Sequence, residues 1–217
     1  MKRVIFAGTC LVLVVGFVLA ANSYRTSRAE DLSFMAREDA SRFVRPHSPT
    51  LGSDAAKVYI VKFTDPACET CANFAPYMHQ ALEAFPGRVK VVIRYAPFHQ
   101  GSHDVVRVLE AARMQNKFWE TLEVLYRRQR SWTKNHQVML DQVWQFLPEA
   151  GVDVERARID MKDPRITALI EQDLADARTL GVRKTPGFFV NGKPLEPFGA
   201  QPLAALIKAE VAANYPE

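Results

Sequence analysis

The chain is poor in cysteine: it has three in 217 residues, and one of them, Cys10, lies in an apolar N-terminal run. The two that remain are too few for a disulfide scaffold. An excess of charge of either sign is also missing. Setting aside Lys2 and Arg3, 26 basic residues stand against 24 acidic ones, a balance that argues against a nucleic-acid partner. Internal repeats are absent, and no second C-x-x-C completes a four-ligand zinc site. With 48% hydrophobic and 24% charged residues, the composition excludes a disordered or fibrous chain and names no function.

The N-terminus differs in kind from the rest. Met1-Lys2-Arg3 is basic, and Val4 to Ala21 is an uncharged run of 18 residues, the pattern of an export signal. The run is longer than the usual signal core of about 7 to 15 residues and close to the lower bound of about 17 for a membrane span. Val18-Leu19-Ala20 suits cleavage by a signal peptidase, whereas the length suits an uncleaved anchor with Lys2 and Arg3 left inside. Both alternatives place the remainder in a periplasmic or extracytoplasmic space, where disulfides persist, with membrane contact only through residues 4–21. Cys10 comes early in the run rather than at its end, which does not fit lipid attachment. Residues 22–56 end in Arg45-Pro46-His47-Ser48-Pro49-Thr50-Leu51-Gly52 and read as a polar spacer, with one or two helical turns around Leu32 to Phe43.

Residues 57–217 read as one α/β domain. Val58-Tyr59-Ile60-Val61-Lys62-Phe63 is a β-branched and aromatic run of strand length. Thr64-Asp65-Pro66-Ala67 breaks it, and Phe74, Tyr77, Met78, Leu82 and Phe85 then recur at helical spacing up to Pro86-Gly87. Val89 to Tyr95 is a second strand, expected to run parallel to the first across the intervening helix. Helical patterns follow over Ser102 to Gln115, Phe118 to Gln129, Leu140 to Ala150, Val154 to Met161 and Pro164 to Leu180. Gly187-Phe188-Phe189-Val190, Asn191-Gly192 and Lys193-Pro194-Leu195 form a hairpin pattern, since Asn-Gly is the strongest short hairpin signal. Leu203 to Ala213 closes the chain as an amphipathic helix. The order β-α-β, helices, β-β-α is the thioredoxin topology with an α-helical insertion at about residues 100–180 between its two halves.

Cys68-Glu69-Thr70-Cys71 falls where the first strand gives way to its helix. A thiol there meets unpaired backbone N–H groups and the positive end of the helix dipole, which favour its thiolate. In such motifs the pKa falls from about 8.5 to between about 3.5 and 7.5, making Cys68 the nucleophile and Cys71, a turn inward, the resolving thiol. Half of a metal site is one alternative. An inert staple is another, although closing a two-residue loop removes little chain entropy. Thr185-Pro186 precedes the strand Phe188-Phe189-Val190, a position where proline is restricted and a cis bond is accessible.

Three stretches together, Asp65 to Cys71, Arg94-Tyr95-Ala96-Pro97-Phe98-His99 and Gly181 to Gly192, resemble the DsbA-like thiol-disulfide oxidoreductases over roughly residues 45 to 213. The resemblance implies dithiol-disulfide exchange on protein substrates with no cofactor and no metal. Cys68 would attack and Cys71 resolve. Pro186, in cis, would hold a substrate backbone near the pair, and Thr185 would offer its backbone to that substrate as an added strand. Redox equivalents would come from a membrane partner, either a quinone-linked oxidase or a reductant-delivering protein. Residues 22–56 are too short and polar to form the dimerisation domain that isomerases of this kind carry, so a monomer is expected.

One departure is notable. Six residues before the first cysteine the family usually has a buried acid, and here stands Lys62. Buried near the pair, a lysine would favour thiolate as a cation or serve as a base; at a sheet edge it would touch nothing redox-active. Glu69 and Thr70 separate the cysteines, with no histidine like that of strongly oxidising members, and Glu69 opposes the thiolate. Helix dipole and Lys62 push the other way, so the direction of the reaction is left open. Two functions of other classes fit the same residues: a chaperone binding a soft ion such as Cu(I) through Cys68 and Cys71, and a non-catalytic binding module. Among the remaining residues, His99 reads as a loop residue and His103 as first-turn, with Ser102 capping the helix. Trp119, Trp132 and Trp144 read as insertion core. Phe74 reads as core and Tyr77 as a candidate groove residue. Arg127, Arg128 and Arg130 complement a helix C-terminus and face water.

Overall fold

The structure is a computed structural model describing residues 2–135 and 137–216, with side chains from Cys10 onward. Met1 of the basic N-terminal stretch, His136 and Glu217 lie outside the described residues. The chain begins with α1 (Lys2–Glu38) and a 3-10 turn (Ala40–Arg42), then β1 (Thr50–Gly52), β2 (Val58–Thr64), α2 (Glu69–Asn73), α3 (Ala75–Ala84) and β3 (Val89–Tyr95). The insertion comprises α4 (Ser102–Arg113), α5 (Phe118–Arg127), α6 (Gln129–Trp132), a small ribbon of β4 (Thr133–Lys134) and β5 (Gln137–Val138), α7 (Leu140–Phe146), α8 (Val154–Asp160) and α9 (Pro164–Leu180). β6 (Gly187–Val190), β7 (Lys193–Pro194) and α10 (Ala200–Asn214) complete the fold.

The main sheet has the order β1-β3-β2-β6-β7. β2 lies parallel to β3, with Val58 opposite Val89 and Thr64 opposite Tyr95, and antiparallel to β6, with Lys62 opposite Phe188. Both faces of β2 are covered, which is why its sequence is an almost unbroken apolar run rather than an alternation. Its side chains still part by the period of two. Val58 and Ile60 join Val91, Ile93, Phe188, Met78 and the insertion helices in the larger core. Val61 and Phe63 join Val92, Phe189, Phe43, Leu180 and α1 in a smaller core on the other face. Trp132 and Trp144 are buried in the insertion and Trp119 packs against it. The expected β-α-β and β-β-α halves and their helical insertion are all present. The Asn191-Gly192 turn has positive φ at both residues, as a two-residue hairpin of this hand requires.

Two elements depart from expectation. β1 is an additional edge strand, antiparallel to β3; three residues are too short to show a period. The helical turns expected around Leu32 to Phe43 are present as the end of α1 and the 3-10 turn, but the residues from 22 onward, read as a spacer, continue α1 as one helix, and Leu32, Ser33 and Ala36 are buried by it. The buried stripe is narrow, which hides it from a periodicity reading. Ala36 packs on Gly192 so closely that a Cβ there would overlap the alanine methyl. Glycine at 192 therefore serves both the turn and the helix contact. Upstream, the stretch Cys10–Glu38 of α1 is long and apolar enough to cross a membrane, and Leu11 to Leu19 are exposed. The segment is compatible with a signal or an anchor.

Candidate active site

The turn between β2 and α2 is built around Asp65, which is fully buried. Its Oδ1 accepts from the Ala67 N–H at 2.8 Å and from the Ser102 hydroxyl. Its Oδ2 accepts from the His99 N–H at 2.8 Å and lies 2.7 Å from His99 Nδ1. The Asp65 carbonyl accepts from Cys68 N–H at 3.1 Å, and Gln129 Nε2 donates to the Pro66 carbonyl at 2.7 Å. Strand end, insertion and redox turn are thus tied through one carboxylate. Sequence reasoning missed Asp65 because its partners lie 34 and 37 residues away. Ser102 does not cap α4, as the motif suggested; Gly101 holds that position, and the hydroxyl turns to Asp65 instead.

Cys68 is the residue before α2, in extended conformation, and Cys71 lies within the helix. Cys68 is 7% exposed and Cys71 is fully buried, so only the first can be reached. The two differ as sharply in acidity. The Cys68 thiol is pulled from an ordinary 9.0 down to about 5, first by a hydrogen bond from the Cys71 thiol. Burial opposes this, and the Thr185 side chain and the backbone N–H groups of Cys71 and Thr70 add to it. The Cys71 thiol is pushed well above the ordinary range, chiefly by burial and by holding its proton toward Cys68, against the pull of Lys62 and Thr64. Glu69 and Thr70 are exposed in the first turn; Thr70 contributes through its backbone, and Glu69 is not among the main causes of the Cys68 shift.

Opposite the pair, the Thr185–Pro186 peptide is cis, and the Cys68 sulfur lies 3.3 Å from the Thr185 carbonyl oxygen. A second cis peptide, Glu196–Pro197, has no counterpart in the sequence reading. Beneath the pair is Lys62. It is 1% exposed on the central strand, so the sheet-edge alternative is corrected: β2 is flanked by β3 and β6 and offers no edge. Lys62 Nζ donates to the Cys71 carbonyl at 2.9 Å and stands 5.2 Å from the centre of the Tyr126 ring. Burial lowers its pKa from 10.5 to about 8, against the opposing pull of negative charge on Cys71 and Cys68. Tyr126 and Thr64 share a hydrogen bond of 2.7 Å beside it.

Phe74 is buried against Phe188 and Phe198, while Tyr77 is 39% exposed next to it. His103 is exposed, and Arg127 and Arg128 pair with Glu149 at the surface. Among the described residues, no group of three or more His, Cys, Asp or Glu side chains is placed to hold a metal ion.

A family model described as Thioredoxin matches residues 45–209. A thioredoxin-like oxidoreductase from Silicibacter pomeroyi DSS-3 is similar at 26% identity over 81% of this chain and 98% of that one, with a TM-score of 0.70. The thiol-disulfide exchange protein alpha-DsbA2 from Wolbachia pipientis shares the fold at 17% identity, over 84% of this chain and 97% of that one, with a TM-score of 0.68. Among curated proteins, the Na(+)/H(+) antiporter NhaA of Herminiimonas arsenicoxydans is 30% identical over 159 residues, 73% of this chain and 25% of that protein. The chain therefore spans about a quarter of the length of the curated relatives it matches.

Proposed function

Because the chain belongs to the thioredoxin family, we propose that it is a thiol-disulfide oxidoreductase that exchanges disulfides with protein substrates through Cys68 and Cys71. The DsbA-like resemblance of its motifs agrees with the family match and with the fold it shares with alpha-DsbA2. The observation that carries the activity is the unequal pair: a reachable thiol held near pKa 5, a buried thiol kept protonated beneath it, and Thr185–Pro186 facing the reachable one.

Exchange runs in two steps. The Cys68 thiolate attacks one sulfur of a substrate disulfide, that S–S bond breaks, and the departing substrate thiolate takes a proton. Cys71 then loses its proton and attacks the Cys68 sulfur, closing Cys68–Cys71 and releasing the second substrate thiol. Two electrons pass from the pair to the substrate, and the reverse sequence oxidises a substrate dithiol. A low thiol pKa stabilises the reduced pair and so makes it the stronger oxidant, which supports the oxidising direction in this chain. The apolar part of α1 supports an extracytoplasmic location, and a membrane-bound quinone-linked oxidase is the class of partner that would restore the disulfide.

Two measurements test this. Thiolate absorbance at 240 nm should titrate near pH 5 and vanish in Cys68→Ser, and the pair should equilibrate with glutathione above about −200 mV; a potential near about −270 mV would reverse the direction. Cys71→Ser should accumulate a mixed disulfide through Cys68 when mixed with a disulfide-bearing protein. If no such species forms at pH 7, Cys68 is not the nucleophile.

A further inference from the structure

A groove of about 500 Å³ runs between α1 and the loop that carries Pro186. One wall is α1, through Arg25 and Arg28; the other holds Arg183, Lys184 and Pro186, and the lining contains a single acid, Glu196. Arg28 is fixed in its wall, its Nη2 donating to the Leu180 carbonyl at 3.4 Å. Among the described residues, no ion pair joins Arg25, Arg183 or Lys184 to an acid, and all three are exposed. Phe188 and Phe198 add apolar floor. A second cavity of about 490 Å³ extends the groove along α1, sharing Arg25 and Glu196. The Pro186 end lies next to Thr185, whose carbonyl touches the Cys68 sulfur. The groove therefore brings four cations, two of them supplied by the N-terminal helix, up to the loop that faces Cys68.

We propose that this groove binds an acidic segment of the substrate polypeptide beside its reacting cysteine, which makes α1 part of the substrate site. The inference rests on the reading of Cys68 as the attacked and attacking sulfur. Unpaired cations of one sign along a concave path attract a segment of opposite charge and speed its encounter. The single acid at the groove, together with the exposed Glu69 beside Cys68, is too little to reverse that field.

The test uses the full chain in detergent, oxidised to the Cys68–Cys71 disulfide. Two peptides of equal length carry the same two cysteines, flanked by aspartates in one and lysines in the other. A peptide thiolate attacks the Cys68 sulfur, the S–S bond breaks, and Cys71 leaves as thiolate. The second peptide thiolate then attacks the peptide sulfur of the mixed disulfide, closing the peptide disulfide and freeing Cys68. Two electrons and two protons leave the peptide, and the pair ends as the dithiol.

The acidic peptide should react roughly tenfold faster than the basic one at low salt, and the ratio should fall toward one as salt rises, since the Debye length shrinks to about 3 Å at 1 M. In the double variant Arg25→Glu, Lys184→Glu the order of the two peptides should invert. Dithiothreitol, which is uncharged and small, provides the reference. If dithiothreitol reduces the pair while both peptides react equally, or the basic one reacts faster, the acidic groove is overturned and the oxidoreductase reading stands. Failure with dithiothreitol as well overturns both.

Discussion

Lys62→Met is expected to make the chain more stable and its exchange reaction slower. Lys62 is buried and binds its proton with a pKa of about 8, against 10.5 for an ordinary lysine. That difference corresponds to about 3 kcal/mol, at about 1.4 kcal/mol per tenfold change in proton affinity. The sign follows from proton counting. Between pH 8 and pH 10.5 the unfolded chain holds a proton on Lys62 that the folded chain has released, so stability rises with pH across that window. Below pH 8 the full penalty of burying the cation is present. Methionine removes it, at the loss of the hydrogen bond to the Cys71 carbonyl, which is worth about 1 kcal/mol. A net gain of about 2 kcal/mol at pH 7 would raise Tm by roughly 4 to 8 °C, and the rise in stability above pH 8 would flatten.

The kinetic consequence falls on Cys71. Lys62 opposes the upward shift of the Cys71 thiol, whereas it is not among the main causes of the Cys68 shift. The variant should keep its thiolate titration near pH 5. A nearby cation typically moves a thiol by about 1 to 3 pKa units. Lower thiolate abundance is partly offset by greater nucleophilicity, with a Brønsted coefficient of about 0.5, so the resolving step should slow roughly 3- to 30-fold. Urea unfolding across pH 6 to 11 and stopped-flow decay of the mixed disulfide check the two halves separately. A variant that is less stable at pH 7, or that resolves at the wild-type rate, would show that Lys62 is not the cation this site has to tolerate.

The features legible in the sequence are those written in short stretches. Cys68 and Cys71 sit three apart at a strand-to-helix junction, and Thr185-Pro186 directly precedes a strand. The Asn191-Gly192 turn and the apolar runs of β2 and β3 mark their own ends through turn chemistry and period. Pairings made across the fold leave no such trace. Asp65 stands in a turn whose sequence requires no carboxylate, and its role appears only when the loop with His99 and the start of α4 close over it. The fate of Lys62 depends on whether β2 has neighbours on both sides, which one strand cannot state about itself. Residues 22–38 look polar because α1 buries only the stripe of Leu32, Ser33 and Ala36 and leaves the rest in water.

Arg94 shows how strongly such a long-range pairing is felt, and Arg94→Met is expected to cost about 3 to 5 kcal/mol. In the DsbA-like resemblance Arg94 is one letter of a motif with no assigned task. In the structure its guanidinium is fully buried. Nε donates to Asp173 at 2.9 Å and Nη2 to Asp176 at 2.6 Å, while Nη1 donates to the carbonyls of Arg42 and Phe43 at 2.7 and 3.1 Å. Asp173 also accepts from the Tyr95 N–H and lies 2.7 Å from His47 Nε2, and Asp176 takes a bidentate pair from Arg45. The cluster bolts α9 and residues 42–47 onto the end of β3. Methionine fills a similar volume but leaves two buried carboxylates short of their main cation, the situation that makes breaking a buried pair so destabilising. Lysine should rescue only part of the loss, because it lacks the planar fork that serves both acids and both carbonyls.

The pH dependence gives that prediction its sign. Burial raises the Asp176 carboxyl, but hydrogen bonds from Arg45 and Arg94 outweigh it and hold the pKa below the ordinary 3.8. Its contribution is therefore complete above about pH 4 and lost as pH falls below that. Without Arg94 the carboxyl should titrate higher, so the gap between wild type and variant should be widest near neutrality and narrow in acid. The effect should also reach the redox site, since α9 ends at Leu180, six residues before Pro186. Loosening its seat on β3 frees the loop that faces Cys68 and should lower the exchange rate at temperatures where the variant is still folded. Urea unfolding at pH 4 and pH 7, paired with exchange rates at about 25 °C, measures both. A variant as stable as the wild type at pH 7 would mean that water or Arg45 takes over the two acids and that the bolt is dispensable.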